Sequence, residues 1–326
     1  LSLILRRKNL PLGTLERSKE KNTDAEKQEE AFNFQKDNYS KHYLLIIIPD
    51  ILNIMKDSLN IAIAGATGYV GLELIKILVK HKKVRISYLC AQKSIGKSIN
   101  TFDKSIKKKN LPKISKIKDI NWNNVKFIFT ALPNGEAQKI AKLIPSNVKL
   151  IDLSGDFRLQ NYKLYEKWYG IKHKCKNLIN ESIYSVTEFS RKKIPNYKII
   201  SCPGCYPTSI QLPLIPILRK KAVNINNIII DSKSGHSGAG KHLKKKYSFV
   251  KNLSRSVSAY GVGKHKHTAE IDQQLTLAAK KEVNVIFTPH LIPMFRGILS
   301  TIYLELSRGY TAKKIYQIIK KYHKNN

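Results

Sequence analysis

The chain has 326 residues, of which 42% are hydrophobic, so it is long enough for two ordinary domains and can bury a core. Lys and Arg outnumber Asp and Glu by 59 to 23, and nearly all of the resulting net charge of +36 lies in residues 58–326. Four cysteines are too few for a disulfide-stapled secreted scaffold, and no apolar run has the roughly 18–20 residues of a bilayer span. With no signal-peptide pattern either, we expect a soluble cytoplasmic protein.

The basic balance raises the question of a nucleic-acid partner. Such binding needs a basic face interleaved with aromatic side chains, or a helix that reads a groove, and not net charge alone. The lysine runs at residues 107–109 and 244–246 are short and scattered. We therefore expect neither a nucleic-acid nor a membrane partner, although the charge would attract a small phosphorylated substrate.

The N-terminal part of the chain differs in composition from the rest. Residues 14–42 are polar and charged, and cannot bury enough surface to offset an ordering cost of roughly 1–2 kcal/mol per residue. The chain opens with Leu1, and Met55 lies just before the first clear strand pattern. We expect residues 1–57 to be a disordered or non-native extension, with a genuine arm as the alternative.

The first strong motif joins a strand, a glycine-rich turn and a helix. Residues 59–64 form an apolar strand pattern, residues 65–71 read G-A-T-G-Y-V-G, and apolar side chains then recur at helical spacing. In this setting the turn lets the backbone approach a pyrophosphate at a helix N-terminus; the alternative is a tight turn without a nucleotide. The candidate cofactor-binding residues of this turn are Gly65, Thr67, Gly68, Tyr69, Val70 and Gly71.

The end of the second strand pattern, residues 84–89, bears on the choice of dinucleotide. NAD-binding units place an acid there for the ribose hydroxyl, but residues 91–94 read A-Q-K-S. Lys93 and Ser94 could instead meet a 2′-phosphate, so we expect NADP. The alternative is that both residues lie in a solvated loop.

Two further strand patterns, at residues 126–131 and 148–153, alternate with helical patterns. This alternation predicts an α/β fold with a doubly wound parallel sheet. The sequence L-P-N-G at residues 132–135 follows the first of these strands. It is therefore expected at the carboxyl edge, where open α/β sheets bind ligands.

The sharpest signal is a cysteine at a predicted helix start. A short strand pattern at residues 199–201 leads into C-P-G-C-Y-P-T-S at residues 202–209 and an apolar helix through Leu218. Pro207 suits the first helical turn. Cys205 is thus expected at a helix N-terminus, which lowers a thiol pKa from about 8.5 toward the nucleophilic thiolate.

Other interpretations of the paired cysteines are a half zinc site, a redox pair and a structural thiol. Zinc needs a second pair of ligands at matching spacing, for which Cys175 and His173 are poor candidates. A thioredoxin-like pair normally follows the first strand, whereas this pair lies in the middle of the chain. We expect no metal, and we expect Cys202 to be a buried structural cysteine.

Two histidines precede a later helix. A strand pattern at residues 228–231 is followed by S-G-H-S-G-A-G-K, whose glycines indicate a loop held close to a ligand. His265 and His267 then precede the helix, and Glu270 lies one turn inside it. A histidine is a natural acid–base partner for a thiolate, and Glu270 could orient it. A metal pair is the alternative, but no third ligand is evident.

Several segments occur in an order that is specific when they are taken together. They are G-A-T-G-Y-V-G at residues 65–71, D-L-S-G-D-F-R at 152–158, P-G-C-Y-P-T at 203–208, S-G-H-S-G-A-G-K at 234–241, H-K-H-T-A-E-I at 265–271 and P-H-L-I-P-M-F-R-G at 289–297. Over about residues 58–320, the chain thereby resembles the N-acetyl-gamma-glutamyl-phosphate reductases, which are NADP-dependent enzymes of arginine biosynthesis.

The resemblance implies two domains and a homo-oligomer. The first, over residues 58–204, would be a Rossmann-type NADP-binding domain. The second, over residues 205–326, would be an α+β catalytic domain like that of glyceraldehyde-phosphate dehydrogenase.

The resemblance also implies roles for individual residues. Cys205 would be the nucleophile and His267 the acid–base group, with His265 and Glu270 in support. The further cofactor-lining residues that it implies are Pro133, Ser234 and Gly235.

The implied reaction is NADPH-dependent reduction of N-acetyl-gamma-glutamyl phosphate to N-acetyl-glutamate semialdehyde and phosphate, through a thioacyl intermediate on Cys205. Arg158 and Arg296 are candidates for the substrate carboxylate or phosphate, because a guanidinium fork matches such anions; either could instead pair with a neighbouring acid. Ser154 is a third candidate substrate contact. The alternative functions are an aspartate-semialdehyde dehydrogenase-like enzyme and an inactive, truncated reductase that acts only as a basic binding module.

The chain departs from the family pattern at three places. Cys202 stands where Asn is usual, and Lys241 where Arg is usual. The chain also ends without the glycine-rich segment that packs beside the cofactor in the family, which we expect to affect stability and activity. Oxidation is expected to join Cys202 to Cys205 in an inactivating disulfide.

Overall fold

The computed structural model describes residues 58–106, 110–239 and 256–324, together with the backbone of residues 2–6. Lys241, and residues 7–57 of the expected extension, lie outside the described residues. The expectations for them stay predictions.

The strands of the described residues form two sheets. In chain order they are β1 (Ser2–Arg6), β2 (Leu59–Ala64), β3 (Val84–Cys90), β4 (Ile114–Ser115), β5 (Phe127–Thr130), β6 (Lys149–Asp152), β7 (Ser182–Tyr184), β8 (Ile199–Ser201), β9 (Ile229–Ser234), β10 (Ser258–Ala259), β11 (Ile286–Leu291) and β12 (Ile298–Glu305). Among the described residues, one sheet has the order β4-β3-β2-β5-β6-β8-β7 and the other β1-β12-β9-β11-β10.

In the described part of the chain, seven α-helices connect and cover these sheets. They are α1 (Tyr69–Leu78), α2 (Glu136–Leu143), α3 (Tyr162–Tyr169), α4 (Thr187–Ser190), α5 (Cys205–Arg219), α6 (His267–Ala279) and α7 (Ala312–His323).

The seven-stranded sheet is parallel throughout, which confirms the predicted doubly wound fold. From β2 the chain moves outward to β3 and β4, then returns to β5 on the other side. This reversal makes the carboxyl ends of β2 and β5 the switch point where such sheets bind ligands. Leu72, Ile75 and Leu78 recur at helical spacing and bury α1 against Ile61 and Ile63 of β2.

The five-stranded sheet is mixed, as expected for an α+β domain. Its strand β9 pairs in parallel with β11 and antiparallel with β12. Helices α5, α6 and α7 cover one face through a core that includes Leu214, Ile271 and Ile315. The opposite face carries exposed large apolar side chains, namely Ile229, Ile286, Leu299 and Tyr303.

The backbone of β1 pairs in parallel with β12, from Ser2 opposite Thr301 to Arg6 opposite Glu305. The first strand of the chain is thus placed at an edge of the second sheet.

Candidate active site

Cys205 is the first residue of α5, which begins after a short turn from β8. Gly204 is the N-cap of this helix, and its carbonyl accepts the Thr208 N–H at 3.0 Å. The Cys205 side chain keeps an exposed surface. The prediction of a cysteine at a helix N-terminus is therefore confirmed, and an incoming molecule can reach the thiol.

The pKa of the Cys205 thiol is raised above its ordinary value, so the expected lowering is wrong. The largest cause is desolvation of the thiol by the surrounding protein. The Tyr206 backbone N–H and the Arg158 guanidinium act in the opposite direction but do not outweigh it. A thiol in this setting needs a neighbouring base to take its proton.

We expect alkylation of Cys205 in the protein alone to accelerate with pH through an inflection above that of an exposed cysteine, roughly 8.5. The raised pKa leaves little thiolate at neutral pH. The measurement is iodoacetamide incorporation as a function of pH, read at Cys205 by mass spectrometry, with the Cys205→Ser variant as the blank. An inflection below about 7 would show instead a resting thiolate, as in the low-pKa cysteines.

The His267 imidazole lies beside the backbone of residues 202–204, the cysteine turn that joins β8 to α5. Its Nε2 lies so close to Gly204 that a Cβ at that position would collide with the ring. His267 is 8% exposed, and burial followed by the Arg158 charge holds its pKa well below the usual range. Its buried Nδ1 has no hydrogen-bond partner among the described residues. The site thus combines a protonated thiol with a neutral imidazole that can accept a proton.

His265 packs against His267, with ring centroids 4.8 Å apart. Its Nδ1 accepts the His267 backbone N–H at 3.2 Å, and its ring lies edge-on to Tyr206, Tyr260 and Phe287. Burial lowers the pKa of His265 to about 4, so this ring is also neutral at physiological pH. These contacts hold the start of α6 and agree with a supporting role.

Glu270 is fully buried and ties the cysteine turn to α6. Its Oε1 accepts the Gly204 backbone N–H at 2.7 Å and the Tyr184 hydroxyl at 2.6 Å, while Oε2 lies 3.4 Å from Arg158 Nη1. Among the described residues, none of its hydrogen bonds goes to an imidazole. Glu270 therefore acts on the site by holding the peptide that precedes Cys205, and the expected direct orientation of a histidine is not seen.

Each of the three nitrogens of the Arg158 guanidinium has a hydrogen-bond partner in the protein. Its Nε donates to the Cys202 carbonyl at 2.7 Å, Nη2 to the Leu153 carbonyl at 3.3 Å, and Nη1 faces Glu270. These contacts match the alternative interpretation, in which Arg158 pairs with a neighbouring acid. A substrate contact through Arg158 stays a prediction. Cys202 is buried, as expected for a structural thiol, and burial raises its pKa to about 12.

The turn at residues 132–135, which contains Pro133, is held by the segment after β6. Ser154 Oγ accepts the first backbone N–H of the turn at 3.0 Å, and the Asn134 side chain donates to the Ser154 carbonyl at 2.8 Å. Asp156 accepts the N–H of the fourth turn residue at 2.7 Å. Ser154 thus shapes the turn at the carboxyl edge of the sheet, and its contact with substrate stays a prediction.

Arg296 lies beside α1 and the glycine turn. Its Nη2 is 3.3 Å from Glu73 Oε1 on α1, and the neighbouring Phe295 ring lies edge-on to Tyr69 of the glycine turn, at 6.2 Å. A Cβ at Gly235 would lie 2.8 Å from the Arg296 backbone N, so this loop is packed closely against residues 294–297. Arg296 is paired with an acid, and its role in binding substrate stays a prediction.

The glycine turn leaves no room for side chains at two positions. Gly65 has φ +86°, and a Cβ there would collide with the Ala131 carbonyl. A Cβ at Gly71 would collide with the Gly65 carbonyl, and Gly68 is the N-cap of α1. The turn therefore fits a dinucleotide, whose pyrophosphate needs a close backbone approach at a helix N-terminus. Between and beside these glycines lie Thr67, Tyr69 and Val70.

The other candidate cofactor residues lie at the ends of strands. Lys93 is exposed and follows β3, and Ser94 adopts φ +72°, a conformation that few non-glycine residues take. Ser234 is buried at the end of β9. Their contacts with a cofactor stay predictions.

Three residues of the site were missed in the sequence. Asn134 lies in the turn that was predicted at the carboxyl edge of the sheet, and Lys266 lies between the two histidines. The position of each in the sequence could therefore have identified it. Nothing in the sequence identified Tyr184, because its contact with Glu270 joins residues 86 positions apart.

Among the described residues, His, Cys, Asp and Glu side chains form no group of three that could hold a metal ion. In the same part of the chain, none of the helices has the length and apolarity needed to cross a membrane.

Two family models match the chain, one on each sheet region. The "semialdehyde dehydrogenase, NAD binding domain" matches residues 60–197, and the "semialdehyde dehydrogenase, dimerisation domain" matches residues 205–326.

Two curated relatives are named as N-acetyl-gamma-glutamyl-phosphate reductases. A protein of Oryza sativa subsp. japonica, "Probable N-acetyl-gamma-glutamyl-phosphate reductase, chloroplastic", is 40% identical over 81% of this chain and 63% of its own length. The N-acetyl-gamma-glutamyl-phosphate reductase of Rhodospirillum rubrum is 42% identical over 81% of this chain and 76% of its own length. The chain thus spans less than two thirds of the rice protein and about three quarters of the bacterial one.

The solved structures show the same fold. Aspartate semialdehyde dehydrogenase II from Vibrio cholerae superimposes with a TM-score of 0.63 and 18% identity, covering 81% of this chain and 79% of that one. The Candida albicans aspartate semialdehyde dehydrogenase, solved with NADP, gives a TM-score of 0.57 at 16% identity, covering 80% and 76%. With the fold, the two domain matches and relatives at 40% identity or more in agreement, the chain belongs to the N-acetyl-gamma-glutamyl-phosphate reductase family.

Proposed function

We propose that the chain catalyses the reaction for which its relatives are named, the NADPH-dependent reduction of N-acetyl-gamma-glutamyl phosphate to the semialdehyde and phosphate in arginine biosynthesis. The observation that carries the proposal is the position of Cys205 at the start of α5, with the neutral His267 imidazole against Gly204. A nucleophile and a proton acceptor in this arrangement are what acyl transfer requires.

Acyl transfer begins when His267 Nε2 takes the thiol proton and the Cys205 sulfur attacks the acyl carbon. The C–S bond forms, the bond from that carbon to the phosphate oxygen breaks, and phosphate leaves with the electron pair. The Gly204 N–H is held by Glu270. The backbone N–H groups that act on the sulfur, from Cys205 and Tyr206, are therefore our candidates to bind the developing oxyanion.

NADPH, when bound, supplies the hydride that reduces the thioacyl carbonyl. The glycine turn follows β2 and Cys205 follows β8, so the parallel sheet presents the dinucleotide turn and the nucleophile at the same edge. His267 returns its proton to the sulfur when the C–S bond breaks and the semialdehyde leaves.

We expect the Lys93→Glu change to raise the KM for NADPH by about 10- to 100-fold, the loss of one charge-assisted hydrogen bond to the 2′-phosphate. The KM for NADH should change little, because NADH lacks that group. The measurement is the pair of KM values with each dinucleotide. Lys97→Glu, an exposed residue of the same loop, is the matched control. Equal changes in the two variants would assign the effect to surface charge and count against Lys93.

We propose a second copy of the chain as the partner that covers the open face of the five-stranded sheet. Ile229, Ile286, Leu299 and Tyr303 leave apolar surface exposed there, in the region that matches the dimerisation domain. The matched ranges also support the proposed boundary between residues 204 and 205. A cytoplasmic location remains part of this proposal.

The experiment that tests the reaction uses the reverse direction. The purified protein is given N-acetyl-glutamate semialdehyde, NADP and inorganic phosphate, and NADPH formation is followed by absorbance. We expect turnover that requires phosphate. A preference for aspartate semialdehyde would replace the proposal with the alternative of an aspartate-semialdehyde dehydrogenase-like enzyme. The absence of turnover with either substrate would favour the alternative of an inactive reductase.

A further inference from the structure

We propose that Lys266 binds the phosphate group that the substrate carries and releases, an assignment that rests on the proposed function and deepens it. No role was expected for this residue from the sequence.

Lys266 lies where the two sheet regions meet. It is the N-cap of α6, between the two histidines, and its Nζ donates to Asn134 Oδ1 at 2.9 Å. Asn134 belongs to the turn at the carboxyl edge of the parallel sheet. The ammonium also lies 5.2 Å from the centre of the Tyr169 ring at the end of α3. The half-buried Lys266 side chain therefore faces the edge at which Cys205 and the dinucleotide turn are presented.

Among the described residues, no acidic side chain forms an ion pair with the Lys266 ammonium. Arg158 and Glu270 are paired with each other and with backbone groups. Among the described residues, no carboxylate lies within 4.0 Å of Lys266 Nζ, and Asn134 takes one of its three N–H donors. Burial, followed by the Arg158 charge, lowers the pKa of Lys266, while Glu270, Cys205 and Asp156 act weakly in the opposite direction. A positive, partly desolvated group with spare donors favours an anionic ligand.

Two residues next to Lys266, one through its ring and one in the chain, each have a buried polar atom without a partner among the described residues. These atoms are the Tyr169 hydroxyl and His267 Nδ1. Buried polar atoms are normally hydrogen-bonded. Neither atom is accessible from solvent, so the half-buried Lys266 ammonium is the donor to which we assign the anion.

The proposed reaction brings a phosphate close to Cys205. The acyl phosphate is cleaved at the carbon that Cys205 attacks, so its phosphoryl oxygens lie next to the sulfur, and the Cys205 charge acts on Lys266. The arginines first considered for this role are engaged, Arg158 by Glu270 and carbonyls and Arg296 by Glu73. A lysine binds phosphate as a point charge, which suits a group that must leave after the C–O bond breaks.

The test measures the KM for inorganic phosphate in semialdehyde oxidation with NADP. In this direction a phosphate oxygen attacks the thioacyl carbon, the C–S bond breaks, and the sulfur takes the proton held by His267. For Lys266→Met we expect the phosphate KM to rise by about 10- to 100-fold, the loss of one hydrogen bond to a charged group. Lys266→Arg should restore most of the phosphate affinity, because the positive charge is kept. Lys264→Met, an exposed lysine on the same segment, is the matched control and should match the unaltered protein.

A second readout needs no turnover. Inorganic phosphate should slow iodoacetamide alkylation of Cys205 in the unaltered protein, and should do so only at about 10-fold higher concentration or above in Lys266→Met. An unchanged phosphate KM together with unchanged protection would overturn the assignment. A rise in the semialdehyde KM alone would overturn it too, because it would place the ammonium at the substrate carboxylate. If the unaltered protein turns over neither semialdehyde, the proposed function fails, and the protection assay still decides whether Lys266 binds phosphate.

Discussion

Replacing Cys205 by serine is expected to reduce phosphate-dependent semialdehyde oxidation by about 10⁴-fold or more, because it removes the atom that forms the thioacyl bond. The raised pKa of this thiol does not weaken the expectation. A neutral thiol–imidazole pair separates charge only as the C–S bond forms, and a serine hydroxyl is far harder to deprotonate. The measurement is kcat for the purified variant, with the melting temperature to show that the fold is kept.

Cys202→Ala is the matched control for this experiment. Its side chain packs in the core beside the parallel sheet, whereas Arg158 bonds to its backbone carbonyl, which the change keeps. We expect a loss of stability of about 1 kcal/mol and nearly unchanged kcat. Comparable loss of activity in the two variants would mean that the cysteine turn acts only as structure, and would remove the basis for the proposed chemistry.

The second large effect is expected from Gly204→Ala, which should lower kcat by about 10²-fold or more. A Cβ at this position would collide with the His267 imidazole and would lie 2.9 Å from Arg158 Nη1. Both side chains are buried, so the ring must move away from the cysteine turn. A displacement of about 1 Å at a reacting group is enough for a loss of this size. The measurements are kcat and the rate at which iodoacetamide alkylates Cys205. We expect the alkylation still to occur.

Gly309→Ala separates this effect from general destabilisation. Gly309 has φ +84° in the turn before α7, and a Cβ there would meet no atom within 4 Å. The substitution is expected to cost roughly 1–2 kcal/mol, because the left-handed conformation is strained for alanine. It should leave kcat unchanged. If Gly204→Ala were as active as Gly309→Ala, the contact between His267 and the cysteine turn would have no catalytic role.

The parallel sheet and the helix start at Cys205 were predictable because their signals are local. A continuous apolar strand followed by glycines and a helical pattern specifies a strand–turn–helix unit. Pro207, in the first turn of α5, indicates where that helix begins. The family resemblance added the roles of Cys205 and His267. The structure brings these two residues to one place, although they are 62 positions apart in the chain.

The electrostatics of the site were not predictable in this way. The helix N-terminus indicated a lowered thiol pKa, yet desolvation by atoms from distant segments outweighs it. Arg158 was a candidate for either substrate or a neighbouring acid, and the identity of its acid partner, Glu270, 112 positions away, came only from the structure. The hydrogen bond between Lys266 and Asn134, 132 positions away, was not predictable from the sequence either.

The sequence by itself determined the fold class, the position of the nucleophile at a helix start and the nature of the dinucleotide turn. These follow from spacing along a few consecutive residues, which the backbone geometry of strands, turns and helices translates directly into structure. Only the tertiary structure decided which charges are paired, which imidazole lies against Gly204, and which cation keeps donors for an anion. Those properties depend on burial and on contacts between segments far apart in the chain, because desolvation and Coulomb interactions act through space.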